Sequence, residues 1–175
     1  MKYEKAVKLF LSIIVCELAG VIGSVFTTSQ INLWYVYLKK PSFNPPNWIF
    51  GPVWTILFVL MGISLFLVLE KVPLSQTANK FFGKVFTKNF WTGKESAVVV
   101  FAIQLILNIK WSFLFFAFHS PALAFVEIIF LWLAILWTIF KFYKISKNAS
   151  YLLIPYILWV SFASFLNLSI WLLNT

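Results

Sequence analysis

The sequence predicts an all-α, polytopic membrane protein: a single domain, residues 1–175, built as a five-transmembrane-helix bundle. Three observations carry that prediction. The first is composition. Hydrophobic residues make up 62% of the chain, aromatics 21% and charged residues 11%, with a mean hydropathy of +0.92; a soluble domain of this length is not normally so apolar. The second is patterning: the apolar stretches are continuous and about 20 residues long, the length at which a helix crosses the hydrocarbon core, whereas a membrane β-barrel would show short alternating segments. The third is where the charges lie. The net charge is +9 and every basic residue is Lys. The lysines flank the apolar runs, as the positive-inside rule expects of a membrane protein, which argues against a nucleic-acid-binding surface.

Span one is expected over residues 7–27. Gly20 and Ser24 share a face with Gly23 beside them, a small-residue pattern that lets a neighbouring helix approach. Glu17 sits in mid-span, where a carboxylate costs about 3 kcal/mol on insertion scales. Two readings stay open for it: an acid lining a cavity, or a hydrogen bond to another helix. Cys16 lies in the same span, reads as a buried inert thiol, and has no cysteine to pair with. The run lacks an evident cleavage site and is expected to be retained.

Span two is expected over 48–69, with Pro52 in its first turn, where its missing N–H is no loss. The connection 71–94 is basic and aromatic. Phe82, Phe86 and Phe90 recur at helical spacing among Lys80, Lys84 and Lys88, the pattern of a short helix lying on an anionic membrane surface; a charged loop is the alternative. Span three is expected over 96–118. Its Gln104, Asn108 and Ser112 form a polar stripe that must face other helices or a cavity. Span four is expected over 121–143 and span five over 151–173, with Pro155 near the start of the latter as a candidate kink. Tyr156, Trp159, Ala163 and Leu166 share one face. Lys110 and Glu127 are nearly level across the hairpin of spans three and four, and are expected to pair directly or through a water. His119, in the turn between them, has no Cys or second His beside it, so a solvated imidazole is expected rather than a metal ligand.

Between spans one and two runs Trp34–Trp54, WYVYLKKPSFNPPNWIFGPVW. Pro41, Pro45 and Pro46 remove backbone donors and fix φ, so most of this stretch cannot be regular helix. A rigid aromatic loop between two spans suggests a lid over something. The order Trp-Tyr, Leu-x-Lys-Pro-Ser, Pro-Pro-x-Trp, Gly-Pro-Val-Trp resembles the signature of the TspO/MBR family (tryptophan-rich sensory protein, translocator protein or peripheral-type benzodiazepine receptor). So do Gln-Leu-x-Leu-Asn-x-x-Trp in span three and the run from Leu152 to Asn167, and the likeness covers nearly the whole chain outside the N-terminal lysines and the 71–94 connection.

The sequence offers no Ser/His/Asp set, phosphate loop or metal cluster, and no internal repeat of the kind many secondary transporters carry. An aromatic interior suits a large, flat, apolar ligand, and Lys39 and Lys40 at the loop are candidates to meet its carboxylates. The residues alone fit an interfacial aromatic belt equally well; the resemblance favours the pocket. It implies a five-helix bundle, often a homodimer in the bilayer, that binds porphyrins, benzodiazepine-type ligands and, in animals, cholesterol. Transferred by motif, the ligand-binding positions are Phe50, Gly51, Val53 and Trp54; Leu123, Val126, Glu127 and Phe130; and Trp159, Ala163 and Leu166, under a loop carrying Trp34 and Trp48. No metal site and no cofactor is expected, with porphyrin or haem as ligand, and no nucleic-acid partner. Three functions are expected candidates: a tetrapyrrole-binding receptor or sensor, a transporter of porphyrin or lipid, and a light- and oxygen-dependent porphyrin-degrading enzyme acting at Trp54 and Trp159. Span five ends Leu168-Ser169-Ile170-Trp171-Leu172, without the Tyr and basic residue of the animal cholesterol motif, which favours a prokaryotic cell-membrane protein handling porphyrin. The lysine bias places the N-terminus in the cytoplasm and the Trp-rich loop outside.

Overall fold

A computed structural model describes residues 2–72 and 91–175. Most of the basic aromatic connection expected as a surface helix, residues 73–90, lies outside them. Among the described residues, five long helices make up the fold: α1 (Lys2–Leu33), α2 (Asn47–Leu69), α3 (Ser96–Ser112), α4 (Pro121–Tyr143) and α5 (Ile154–Leu173). Each belongs to a segment long and apolar enough to cross a membrane, and the protein is an integral, multi-pass membrane protein. The helices close a ring in which α1 packs on α2 and α3, α3 on α4, α4 on α5, and α5 returns to α2.

Span one is longer than expected at both ends. The sequence turns polar at Thr27, which suggests a stop, yet the helix continues to Leu33. The hydroxyls of Thr27 and Thr28 bond the carbonyls of Gly23 and Ser24 four residues back (3.1 and 2.8 Å), so these polar groups satisfy themselves within the helix. At the other end, Lys5 and Lys8 pair with Glu70 at the end of α2 (3.1 and 3.5 Å). Lys71 Nζ donates to the carbonyl of Ile145 (2.9 Å), drawing the basic connections to one end of the bundle.

Each helix boundary has a local cause. Pro46 precedes α2, and Pro52, expected in the first turn, lies inside the helix instead, because α2 starts at Asn47 and Pro52 falls beyond the turn whose N–H groups have no intrahelical partner. Ser120 caps α4 by accepting from the Leu123 N–H, with Pro121 at the first helical position. His119 turns the chain there with φ 52°. Pro155 opens α5 instead of kinking it; a one-turn helix, Lys147–Tyr151, precedes it after a short break. At the end of α3 the helix widens into a π turn over Phe113–Ala117, closed by the Phe118 N–H on the Phe113 carbonyl (3.0 Å). Such widened turns are rare and recur at functional sites.

The buried core runs through the ring, with Phe58, Met61 and Leu65 of α2, Phe101 of α3, and Leu131 and Ile135 of α4 among its members. The polar stripe of α3 faces inward as expected. Tyr156 of α5 donates its hydroxyl to Gln104 Oε1 (3.0 Å) and accepts from Asn108 Nδ2 (3.0 Å). The expected direct contact between Lys110 and Glu127 does not form: both carboxylate oxygens of Glu127 are buried with no hydrogen-bond partner among the described residues. Level alone did not bring them into direct contact, because pairing also depends on how each helix is rotated, but the two charges still interact electrostatically.

A candidate ligand cavity under the Trp and Pro rich loop

The loop that covers the bundle is built from its own side chains. A short 3-10 turn, Tyr35–Tyr37, follows α1, and the Asn44 N–H closes a turn on the Pro41 carbonyl (3.0 Å). Tyr35 donates to Asn44 Oδ1 (2.9 Å). Burial pushes the Tyr35 phenol above its ordinary value and the Asn44 bond opposes that shift, so the ring stays neutral at physiological pH. Lys40 lies over the Tyr35 ring at 4.6 Å and bonds the carbonyls of Val36 and Leu38; burial lowers its affinity for a proton. Asn174, at the end of α5, clips the loop from the far side. Its Oδ1 accepts from the Lys39 N–H (3.0 Å) and its Nδ2 donates to the Lys39 carbonyl (2.9 Å).

Beneath this loop lies a cavity of about 500 Å³, within the usual range for small-molecule sites. Four helices supply its walls. Glu17, Gly20, Ser24, Thr28 and Ile31 come from α1, and Trp48, Phe50, Gly51, Trp54 and Phe58 from α2. From α3 and its widened turn come Asn108, Trp111, Ser112, Phe115 and Phe116, and from α5 Trp159, Ala163, Leu166, Asn167 and Ile170. The π turn lets two consecutive side chains, Phe115 and Phe116, both be buried. Gly20 lies against Phe58, whose ring a Cβ there would meet at 2.5 Å. Trp111 donates to Asn167 Oδ1 (3.0 Å), and Asn167 Nδ2 donates to the Pro121 carbonyl (2.8 Å). Trp54 stacks on Phe58, and Phe50 meets Trp159 edge-on. The result is a slot of flat aromatic faces with a few fixed polar groups. It has no resemblance to a hydrolytic centre, and among the described residues no group of three or more His, Cys, Asp or Glu is placed to hold a metal.

Of the positions expected from sequence, Trp48, Phe50, Gly51, Trp54, Trp159, Ala163 and Leu166 line this cavity; Trp34, Val53, Leu123, Val126, Glu127 and Phe130 do not. Leu123, Val126 and Phe130 are exposed on the outer face of α4, whose inner face is Ala124, Glu127, Ile128 and Leu131. Because α4 packs on α3 and α5, those two helices stand between it and the cavity. Trp34 instead stacks on His119 (ring centroids 4.6 Å) and meets Phe115 edge-on. His119 in turn shares a hydrogen bond with Gln30 (2.8 Å), so it belongs to the loop packing. Lys39 and Lys40 are also absent from the lining. The wall missing from the motif-transferred positions is α1, where Glu17 lines the cavity, one of the two readings left open for it. Its Gly20, Ser24 and Thr28 repeat every four residues, a signal visible in the sequence but equally compatible with helix packing alone.

The family model for TspO/MBR matches residues 12–172. The chain belongs to the TspO/MBR family. It is 44% identical to the tryptophan-rich protein TspO of Chlorobaculum tepidum, over 98% of each chain. Its identity to the protein of the same name from Archaeoglobus fulgidus is 41%, over 95% of this chain and 97% of that one. It is also 33% identical to the human translocator protein, over 86% of this chain and 80% of the human one. In this TspO/MBR member Trp48 and Trp54, at the end of the loop segment, and the aromatic face of α5 meet around one cavity.

Proposed function

We propose that the protein is a membrane receptor or sensor that binds a flat, apolar tetrapyrrole of the porphyrin class in the cavity beneath the Trp- and Pro-rich loop. The observation that carries this is the composition of the cavity wall. Trp48, Trp54, Trp111 and Trp159, with Phe50 and Phe115, present aromatic faces to a space of small-molecule size. Such faces favour stacking and edge contacts with extended π systems. Titrating the detergent-solubilised protein with protoporphyrin and following Trp emission tests it. Saturable quenching is expected; quenching no greater than that of a detergent-matched control protein rejects it.

Light-dependent porphyrin breakdown is a second reading, favoured by one observation: Trp54 and Trp159 both line the cavity, so a stacked pigment would touch both indoles. If the Trp54→Phe, Trp159→Phe double variant bleaches bound porphyrin under light and oxygen as fast as the wild type, that activity does not belong to these residues. We further propose a prokaryotic cell membrane, with the lysine-rich end in the cytoplasm. The lone native thiol, Cys16, is buried, so cysteines introduced at Ser42 and Lys147 report topology cleanly. Labelling of Lys147→Cys but not Ser42→Cys from outside reverses the orientation.

A further inference from the structure

The cavity is not uniform along its length. Glu17 lies fourteen residues before Ile31 on α1, about 21 Å deeper along the helix axis, and Trp159 lies eleven residues before Ile170 on α5, about 16 Å deeper. Both line the cavity, and both are at the end remote from the loop. Each carries a buried polar atom with no hydrogen-bond partner among the described residues, Glu17 Oε1 and Trp159 Nε1. Among the described residues that line this cavity, Glu17 is also the one Asp, Glu, Lys or His side chain. Lys40, expected near the cavity mouth, is held on the loop carbonyls of Val36 and Leu38.

An acid at membrane depth with an unmatched oxygen is costly, and such residues usually serve function. Buried polar atoms are nearly always partnered, and the exceptions need an explanation. A bound molecule that donates a hydrogen bond to the carboxylate and offers an acceptor to the indole N–H supplies the missing partners for both. An anionic group placed on the same floor would meet like-charge repulsion with no cation in the lining to offset it.

We propose that Glu17 sets the ligand selectivity of this cavity, admitting flat aromatic molecules that carry an N–H donor, and preferentially a cationic one, at the deep end. This rests on the cavity being a ligand site and specifies the chemistry of its floor. Charge-assisted hydrogen bonds are about twice as strong as neutral ones, so the preference is read as an affinity ratio of about tenfold or more.

The test uses three tricyclic probes of similar shape at neutral pH in a non-ionic detergent, with Trp quenching as readout: 9-aminoacridine (cationic, with N–H donors), acridine (neutral, with none) and 9-anthracenecarboxylate (anionic). The wild type is expected to bind 9-aminoacridine about tenfold more tightly than acridine, with the anion weakest. Glu17→Gln is expected to abolish the advantage of 9-aminoacridine while leaving acridine within about twofold. Equal binding of the cationic and anionic probes by the wild type overturns the proposal, and that comparison needs no variant to fold. A Glu17→Gln protein that keeps the full preference overturns it as well. If none of the probes binds while protoporphyrin quenches, the selectivity fails and the tetrapyrrole reading stands. If 9-aminoacridine binds in a Glu17-dependent way and protoporphyrin does not bind, the outcome is the reverse.

Discussion

Gly62 lies at a point of close approach between α1 and α2, and adding one methyl group there probes the geometry beneath the cavity floor. A Cβ at Gly62 would stand 2.5 Å from Ile13 Cα and 2.9 Å from both Ile13 N and Ile13 Cγ1. Carbon atoms at rest sit about 3.5–4.0 Å apart, so α1 must retreat by about 1 Å, and backbone atoms cannot rotate away as a side chain can. Overpacking of this kind costs about 3 kcal/mol at the upper end of the usual range. Replacing Gly by Ala in a helix returns about 1 kcal/mol of propensity, leaving a net loss of about 2 kcal/mol. Gly51→Ala is the control. It lies in the same helix with nothing within 4 Å of its added Cβ, so it should gain up to about 1 kcal/mol. Thermal unfolding in detergent, followed by Trp emission, should rank Gly51→Ala at or above wild type and Gly62→Ala below both. A Gly62→Ala protein as stable as wild type would refute the close approach. Because Glu17 and Gly20 lie one and two turns beyond Ile13 on α1, Gly62→Ala should also weaken ligand binding.

Three further outcomes are expected. Tyr156→Phe removes the hydroxyl that joins Gln104 to Asn108 and should cost about 1–2 kcal/mol; an unchanged melting temperature would show that the two amides re-pair without it. Asn174→Ala releases both bonds that clip the loop at Lys39, so amide exchange at Lys39 should quicken while the helices keep their protection; equal exchange rates would place the loop's anchor elsewhere. Lys5 is the main cause holding the Glu70 carboxyl below its ordinary value of 4.5. A lowered carboxylate pKa contributes stability above the unfolded value that is lost as pH falls through the folded one, so the loss belongs below pH 4.5. It should be small and salt-sensitive, since the group is exposed. Glu70→Gln should flatten that acid limb, and an identical acid profile for the variant would remove Glu70 as its cause.

What the sequence determined by itself is the set of properties that depend on neighbours along the chain. Continuous apolar length gave five spans, the Ser120–Pro121 turn marked the start of α4, and the polar spacing of Gln104 and Asn108 marked an inward face, because each follows from local periodicity and backbone chemistry. The loop's irregular backbone followed from its prolines for the same reason. Tertiary structure alone decided which helix faces meet. Leu123, Val126 and Phe130 carry the same apolar character as true wall residues, and only the rotation of α4 against α3 and α5 turned them outward. Lys110 and Glu127 were level yet not in contact, since depth along a helix and angle around it are independent. Gly20 looked like a packing residue and is one, against Phe58, but it is also cavity wall. The same small side chain that lets helices approach at one level leaves space at another, and which it does depends on a partner far away in sequence.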